Sequence, residues 1–181
     1  MTTRVAVLDD YQAAARAAPD WAGLPGTAEV TFFCDHLARE DEVRERLQPF
    51  QVVVAMRERT PFPATLLRSL PNLRLLVTTG MRNRSIDVAA AHELGITVSG
   101  TDGAMSRSTS ELAWGLILSL LRRIPAEDLG VRGGAWQTTV GTELYRKRLG
   151  LLGLGRIGGQ MAGIGRAFGM DVVAWSEHLT G

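Results

Sequence analysis

The chain has 181 residues, of which 45% are apolar and 22% are charged, proportions typical of a globular protein with one domain or two small ones. Twenty basic residues against nineteen acidic ones leave a formal charge of +1, which excludes the clustered basic excess of a strong nucleic-acid binder. No run of about 18 apolar residues exists to span a bilayer, and the first apolar run is too short for a signal peptide. The single cysteine, Cys34, excludes a disulfide framework, so we expect a cytoplasmic protein.

Short apolar runs alternate with amphipathic stretches through the first half of the chain. Five of these runs are typical of buried strands: Val5–Leu8, Val30–Phe33, Val52–Met56, Leu73–Val77 and Ile96–Val98. The stretches with helical spacing between them are Gln12–Ala17, Asp41–Leu47, Ala64–Leu70 and Ser85–Leu94. This alternation of strands and helices predicts a parallel α/β sheet.

The strongest helical signal follows this region. Ser108 and Glu111 have the spacing of a capping box, and the apolar residues after them cover most of the helix surface. Pro125 should stop the helix. We therefore predict a helix over Ser108–Ile124 that is buried on most sides and joins two lobes. The Gly130–Thr142 stretch is rich in glycine and threonine, which predicts an extended surface segment.

The most informative stretch of the sequence is a glycine motif. Gly153-Leu-Gly-Arg-Ile-Gly158 fits the pattern G-x-G-x-x-G and follows a predicted strand, Leu149–Leu152. An amphipathic helical segment comes next, and Asp171–Trp175 reads as a second strand. This order favours dinucleotide binding over the alternative, a tight turn that binds nothing. Gly163 and Gly165 resemble part of the motif but fall inside the helix, where we expect close-packing positions.

Each position of the motif predicts a physical role. Gly153 permits the tight turn, Gly155 lets a pyrophosphate approach the backbone, and Gly158 lets the helix pack close to the strand. Exposed N–H groups at the start of the helix favour a phosphate, to which Arg156 adds charge. The slot for the adenosine ribose falls nearest Ser176, with Glu177 one position later as the alternative. No arginine follows to hold a 2′-phosphate, a role for which His178 is the remaining candidate. The sequence therefore favours NAD as cofactor without excluding NADP.

Outside the motif the sequence holds few candidate site residues. Asp9 and Asp10 follow the first strand, where ligand-facing carboxylates occur in α/β folds, but a solvated turn is the favoured interpretation. Cys34 and His36 supply two metal ligands at most, so no metal site is predicted. The Arg57–Arg59 stretch follows a predicted strand, and its charges fit a substrate pocket and a surface ion cluster equally well.

Four stretches, taken in order, together resemble the signatures of one protein family. They are Met56-Arg-Glu-Arg-Thr-Pro61, the segment from Thr79-Gly-Met-Arg-Asn-Arg-Ser-Ile-Asp87 to Gly95-Ile-Thr-Val98, Ser108-Thr-Ser-Glu-Leu112, and Leu149–Gly158. They match that family's loop after the third strand, its substrate loop and helix, the start of its interdomain helix, and its nucleotide loop. The chain is thus similar, over nearly all of its length, to the D-isomer-specific 2-hydroxyacid dehydrogenases.

The resemblance implies an α/β protein with two parallel-sheet, Rossmann-like lobes. A flavodoxin-like substrate domain is expected over residues 1–100, and an incomplete NAD-binding Rossmann domain, which begins with the interdomain helix, over residues 101–181. The implied activity is that of an NAD-dependent oxidoreductase that interconverts a 2-hydroxy acid and a 2-keto acid. By position, Arg57 borders the substrate pocket, and the main-chain N–H groups of Met81 and Arg82 hold the substrate carboxylate.

The resemblance also assigns cofactor residues and a partner. Thr109 is expected beside the nicotinamide end of the cofactor. The residues expected to hold its pyrophosphate are Gly155, Arg156 and Ile157. A homodimer is implied through the Ser108–Arg123 helix and the Gly130–Thr142 segment, with neither nucleic acid nor membrane as a partner.

Three features depart from the family pattern. Arg82 stands where the family usually has glycine, which adds a charge to the substrate loop, and Arg146 replaces a glycine that usually precedes the lysine before the nucleotide strand. The family's catalytic arginine, glutamate and histidine follow the second cofactor-domain strand, and the sequence ends at Gly181, just after that strand. We therefore expect these 181 residues alone to lack hydride-transfer activity. The alternatives are a non-catalytic dinucleotide-binding module and a degenerate remnant, and the sequence does not identify the 2-hydroxy acid.

Overall fold

The structure is a computed structural model that describes residues 2–17, 21–24, 26–101 and 107–177. It forms two compact units, Met1–Ala104 and Met105–Gly181. The sequence places this division between residues 100 and 101, and the assignment of one unit to the substrate and the other to the cofactor stays a prediction. Both units are built on parallel strands, so the α/β class with parallel sheets is confirmed.

The first unit contains a five-stranded parallel sheet with the order β2-β1-β3-β4-β5. Its strands are β1 (Thr3–Val7), β2 (Ala28–Phe32), β3 (Val52–Ala55), β4 (Leu75–Thr78) and β5 (Thr97–Gly100). The helices between them are α1 (Ala14–Ala17), α2 (Glu40–Leu47), α3 (Ala64–Arg68) and α4 (Val88–Glu93), with a short 3₁₀ helix at Trp21–Gly23. All five predicted strands are present, each with bounds that shift by at most two residues.

Alternate side chains of this sheet point to opposite faces, as the pleat of a strand requires. Val53 and Leu76 point to one face, where they are fully buried in a core that α2, α3 and α4 complete. Their neighbours Val54 and Val77 point to the other face and line an apolar groove of about 660 Å³. The unit therefore has one closed apolar face and one open apolar face.

The second unit contains a parallel pair of strands, β6 (Arg148–Leu152) and β7 (Asp171–Trp175), joined by helix α7 (Arg156–Ala167). Helices α5 (Ser108–Leu121) and α6 (Ile124–Arg132) precede them. The core of this unit lies where α5 packs against α7, with Trp114 and Met161 buried. The centroids of the Trp114 and Phe168 rings are 5.1 Å apart.

Three expectations about the helix after residue 107 are wrong. The helix does not run to Pro125, which instead lies in the first turn of α6, where proline is compatible because no backbone N–H bond is needed. The capping box is not formed, because Ser108 is already helical and the N-cap residue is Arg107. Only one stripe of α5 packs against α7, so Leu116 and Leu120 remain 63% and 77% exposed.

The two glycines inside α7 differ in packing. A Cβ added at Gly165 would lie 2.8 Å from Leu149 Cδ2, so this position must be small for the helix to approach β6. A Cβ added at Gly163 would meet no atom within 4 Å. Close packing is therefore confirmed for Gly165 and was the wrong prediction for Gly163, because Gly163 faces away from the sheet into a groove beside α5.

Arg146 has a backbone conformation that suits the glycine usually found there. Its φ is +60°, in the left-handed region that costs a residue with a side chain about 1–2 kcal/mol. Its N–H donates to the Gly169 carbonyl at 2.9 Å, and its guanidinium lies 5.2 Å above the Tyr145 ring centroid. These contacts stabilise the left-handed conformation at Arg146.

Candidate functional site

The loops that follow β3 and β4 are joined at the carboxyl edge of the first sheet. The Arg57 N–H donates to Thr79 Oγ1 at 3.0 Å, and the Arg57 guanidinium donates to the Thr79 carbonyl at 3.4 Å. The Asn83 side-chain amide then donates to the Arg57 carbonyl at 2.6 Å and to Thr78 Oγ1 at 2.9 Å. The two loops are therefore held as one cluster, which contains Arg57.

The Gly80–Arg82 turn lies in the same cluster. The Gly80 N–H donates to Thr101 Oγ1 at 2.8 Å, and the Gly80 carbonyl accepts from the Thr101 N–H at 3.3 Å, which fastens the turn to the end of β5. A Cβ added at Gly80 would collide with the Arg57 guanidinium, so that cation lies directly over the turn. Within the described part of the chain, the N–H groups of Met81 and Arg82 have no acceptor. The structure thus brings together Arg57, Met81 and Arg82, the three predicted substrate residues. The N–H groups of Met81 and Arg82 are left without an acceptor among the described residues.

Asp9, immediately after β1, connects this cluster to the rest of the edge. Its carboxylate is 2% exposed; it accepts from Thr60 Oγ1 at 2.6 Å and lies 2.8 Å from His36 Nδ1. Its carbonyl accepts from the Arg59 guanidinium at 2.5 Å. The loops after β1, β2 and β3 are therefore tied to one buried carboxylate.

The solvated turn expected for Asp9 and Asp10 is wrong, because both side chains are buried. A φ of +56° turns the chain at Asp9 towards the other loops, and the Asp10 carboxylate accepts from the N–H groups of Ala15 and Arg16 at 3.0 and 3.2 Å. Partial burial, and then the neighbouring Asp9 carboxylate, raise the pKa of the Tyr11 phenol.

The glycine motif forms a turn between β6 and α7. Gly153 has a φ of +92°, and its N–H donates to the Trp175 carbonyl at 2.7 Å, which places the turn beside the end of β7. A Cβ added at Gly158 would collide with the Gly153 carbonyl, so only glycine allows this approach. Gly155 is the N-cap residue of α7, and a Cβ there would point into open space. The turn therefore leaves a cradle at Gly155 that a side chain would fill.

The start of α7 carries backbone donors without intrahelical acceptors. The first bond of the helix runs from the Gly159 N–H to the Gly155 carbonyl, at 2.8 Å. The N–H groups of Arg156, Ile157 and Gly158 precede that bond and point out of the helix end. Together with the positive end of the helix dipole, these donors can bind a phosphate.

The remaining predicted cofactor residues, Ser176 and Thr109, also belong to the second unit. Ser176 directly follows β7 and is half-buried. It comes next in the chain after Trp175, whose carbonyl accepts from the Gly153 N–H. Thr109 is exposed in the first turn of α5. The hydroxyl of its neighbour Ser110 donates to Gln160 Oε1 at 2.7 Å, and this hydrogen bond fastens the first turn of α5 to α7.

Sequence reasoning assigned no role to three residues that shape the first unit's edge. Asn83 and Thr101 hold the loop after β4, and Thr60 joins the loop after β3 to Asp9. The signals for them are that each is a polar residue close after a predicted strand, and that Thr60 and Asn83 lie in stretches that resemble the family's signatures. Among the described residues, no group of three or more His, Cys, Asp or Glu side chains could hold a metal ion. No helix in the described ranges is long and apolar enough to cross a membrane.

A parallel sheet with open donors at its carboxyl edge, and a strand–glycine turn–helix–strand unit, define a dinucleotide-binding α/β protein. The sequence profile of the family described as D-isomer specific 2-hydroxyacid dehydrogenase, NAD binding domain, matches residues 114–180. Glyoxylate reductase of Aeropyrum pernix is 40% identical over 121 residues, which are 62% of this chain and 36% of that protein. Hydroxypyruvate reductase of Thermotoga maritima is 34% identical over 154 residues, which are 84% of this chain and 50% of that protein.

A solved structure supports the same relationship. The crystal structure of a phosphoglycerate oxidoreductase from Vibrio cholerae superposes with a TM-score of 0.88 at 36% identity, over 98% of this chain and 57% of that one. The chain belongs to the D-isomer specific 2-hydroxyacid dehydrogenase family, and the cofactor of the family's NAD-binding domain is NAD(H). It spans 36% and 50% of the lengths of the two curated relatives named above.

The Asp9 carboxylate should contribute strongly to the stability of the first unit. Asp9→Ala removes the acceptor of Thr60 and His36 and leaves a left-handed residue without a polar side chain, so we expect a loss of about 2–4 kcal/mol. Urea unfolding followed by circular dichroism measures it. Asp9→Asn is the matched control, because asparagine keeps an acceptor and tolerates a positive φ, and it should cost clearly less. Equal stability of the wild type and Asp9→Ala would show that the carboxylate does not hold the loops.

Proposed function

We propose that the protein is an NAD-dependent 2-hydroxyacid dehydrogenase in which the first unit holds the acid and the second unit holds the cofactor. The reaction is the transfer of a hydride from C2 of a 2-hydroxy acid to NAD⁺, with release of a proton, to give a 2-keto acid and NADH, and its reverse. The observation that carries this proposal is that each unit has, directly after a strand, a turn with backbone N–H groups that lack an acceptor within the described residues. Both turns suit an anion.

The substrate carboxylate is proposed to bind at the Gly80–Arg82 turn. The N–H groups of Met81 and Arg82 would donate to its two oxygens, and the Arg57 guanidinium over Gly80 would supply a neighbouring positive charge. Hydrogen bonds to a charged acceptor are about twice as strong as neutral ones. Arg57 is itself held in the left-handed region, with a φ of +57°, and the bond from Asn83 to its carbonyl supports this conformation. The chain's contribution at this end is to fix and orient the acid.

The cofactor pyrophosphate is proposed to bind at the turn from Gly153 to Gly158. The N–H groups of Arg156 and Ile157 would donate to its oxygens, and the open space at Gly155 lets the phosphates reach the backbone. Ser176 would face the adenosine ribose and Thr109 the nicotinamide end. When bound, NAD(H) accepts or supplies the hydride.

A valine at position 155 should block the cofactor cradle. Gly155→Val places a branched side chain where the pyrophosphate would lie, so we expect NADH to bind more than about tenfold more weakly, a change of about 1.4 kcal/mol. Titration of the 181-residue chain with NADH, followed by NADH fluorescence, measures the Kd. Gly163→Val is the matched control, since it adds the same side chain to the same helix in open space, and it should leave the Kd unchanged. Unchanged affinity in a folded Gly155→Val variant would refute the cofactor site.

We also propose a homodimer formed through α5, α6 and the segment that follows them. The exposed apolar side chains of this region are Leu112, Leu116 and Leu120 of α5, Ile124, Leu129 and Val131 of α6, and Trp136 and Val140. Such a concentration of exposed apolar side chains in one stretch of the chain is typical of an interaction site.

Hydrogen bonds between α6 and the segment that follows it give this surface a fixed shape. Glu127 of α6 accepts from the Thr139 hydroxyl at 2.5 Å and from the Thr138 hydroxyl at 3.1 Å, and the bond from Thr139 is the main cause that lowers the pKa of Glu127. The segment that carries Trp136 and Val140 is thereby fastened to α6. A preorganised apolar surface of this kind favours self-association.

A charge in the centre of this surface should dissociate the dimer. Leu116→Glu puts a carboxylate on the exposed stripe of α5, where burial without a partner is costly, so we expect sedimentation velocity to show a dimer for the wild type and a monomer for the variant. Val88→Glu is the control, because Val88 is an exposed apolar residue of the first unit. A monomeric wild type, or a dimeric Leu116→Glu variant, would contradict the proposed interface.

A further inference from the structure

Two arginines flank an anchored asparagine in the substrate loop. The Asn83 amide donates to the Arg57 carbonyl and to Thr78 Oγ1, and its Oδ1 accepts from the Ser85 N–H at 2.9 Å, so this side chain is fixed on the sheet side of the loop. Arg82 and Arg84, on either side of it, are exposed. Neither guanidinium has a hydrogen-bond acceptor or a carboxylate partner among the described residues. The loop that carries the open N–H groups therefore also carries two cations that have no partner among the described residues.

The backbone at Arg82 accepts a side chain without strain. Residue 82 is not among the described non-glycine residues with positive φ, although the family usually has glycine there. By contrast Arg146, which also replaces a family glycine, adopts a φ of +60°. The arginine at position 82 therefore adds a charge to the loop without distorting it.

The carboxylates close to this loop do not neutralise its arginines. Asp9 is occupied by Thr60 and His36, and Asp87 accepts from the N–H of the first turn of α4 at 3.0 Å. Among the described residues of the loops after β3 and β4, the exposed Glu58 is then the remaining carboxylate, against the four arginines Arg57, Arg59, Arg82 and Arg84. The described part of this edge therefore has an excess of positive charge, which attracts anions.

We propose that the acid bound by this protein carries two anionic groups: besides the carboxylate next to its reacting carbon, it has a second carboxylate or a phosphate, which Arg82 and Arg84 bind. This rests on the proposed carboxylate site at Met81 and Arg82. One carboxylate uses the two N–H groups and Arg57, which leaves the two flanking guanidinium groups for a second anion. Arginine suits this role, because its planar fork of N–H donors matches both carboxylate and phosphate oxygens.

Paired acids that differ in one anionic group test the inference on the full chain. D-malate is compared with D-2-hydroxybutyrate, and 3-phospho-D-glycerate with D-glycerate, by NMR titration of the labelled protein at low ionic strength. In one of the two pairs, we expect the acid with the second anionic group to bind about tenfold more tightly than the acid without it. Two exposed charge pairs supply a gain of this size. Which pair shows the preference distinguishes a carboxylate from a phosphate.

Variants locate the second anion site. Arg84→Gln should reduce the preference for the acid with the second anionic group to about threefold or less, and it should leave the affinity for the acid without that group unchanged. The double variant, Arg82→Gln with Arg84→Gln, should abolish the preference. Arg68→Gln is the matched control, because Arg68 is an exposed arginine at the far end of α3, and it should keep the full preference. Equal binding within both pairs, or a preference that survives in the double variant, would overturn this inference alone. If no acid binds and the Met81 amide signal does not move, the proposed carboxylate site fails as well.

Discussion

Every strand in the described part of the chain runs parallel to its sheet neighbours. All strands of a sheet therefore end at one edge, and the loops that leave them share that edge. In the first unit those loops are polar, so they need internal partners, and Asp9 supplies them. A carboxylate this deeply buried is stable only when donors surround it. Thr60 and His36 provide those donors, and the same contacts fix the loops that carry Arg57.

The groups that we propose to bind substrate and cofactor are mainly backbone atoms. Met81 and Arg82 in one unit, and Arg156 and Ile157 in the other, offer N–H groups whose directions the fold sets. Only a substitution by proline removes a backbone N–H, so the other side chains act on these donors by shaping the turn. Glycine at position 158 has this role, because any side chain there would collide with the Gly153 carbonyl. Side chains then add charge and selectivity around a fixed cradle.

The parts of this structure that the sequence predicts are those encoded locally. Apolar runs such as Val52–Met56 mark a buried strand in their own residues, and the spacing of glycines marks the nucleotide turn, so the five strands of the first sheet and the β6–α7–β7 unit could be predicted. The exposure of Leu116 could not, because an apolar helix surface shows what can be buried and not which neighbour covers it. The helix α5 packs one stripe on α7 and leaves the rest exposed.

The burial of Asp9 could not be predicted from the sequence, for a different reason. Its partners His36 and Thr60 lie 27 and 51 residues further along the chain, and its φ of +56° is not a preference that the residue type alone reveals. A polar pair after a strand is compatible with a solvated turn and with a buried junction. Only the parallel topology, which brings three strand ends together, decides between them.

Two sets of open backbone donors are proposed to bind the anionic parts of cofactor and substrate. A crystal structure of the protein grown with NADH and oxamate, a non-reacting 2-keto acid analogue, would show both sets at once. We expect pyrophosphate oxygens within hydrogen-bond distance, roughly 2.7–3.2 Å, of the amide nitrogens of Arg156 and Ile157, and the oxamate carboxylate within the same distance of those of Met81 and Arg82. Ligands that bind elsewhere, or that contact these turns only through side chains, would contradict this proposal.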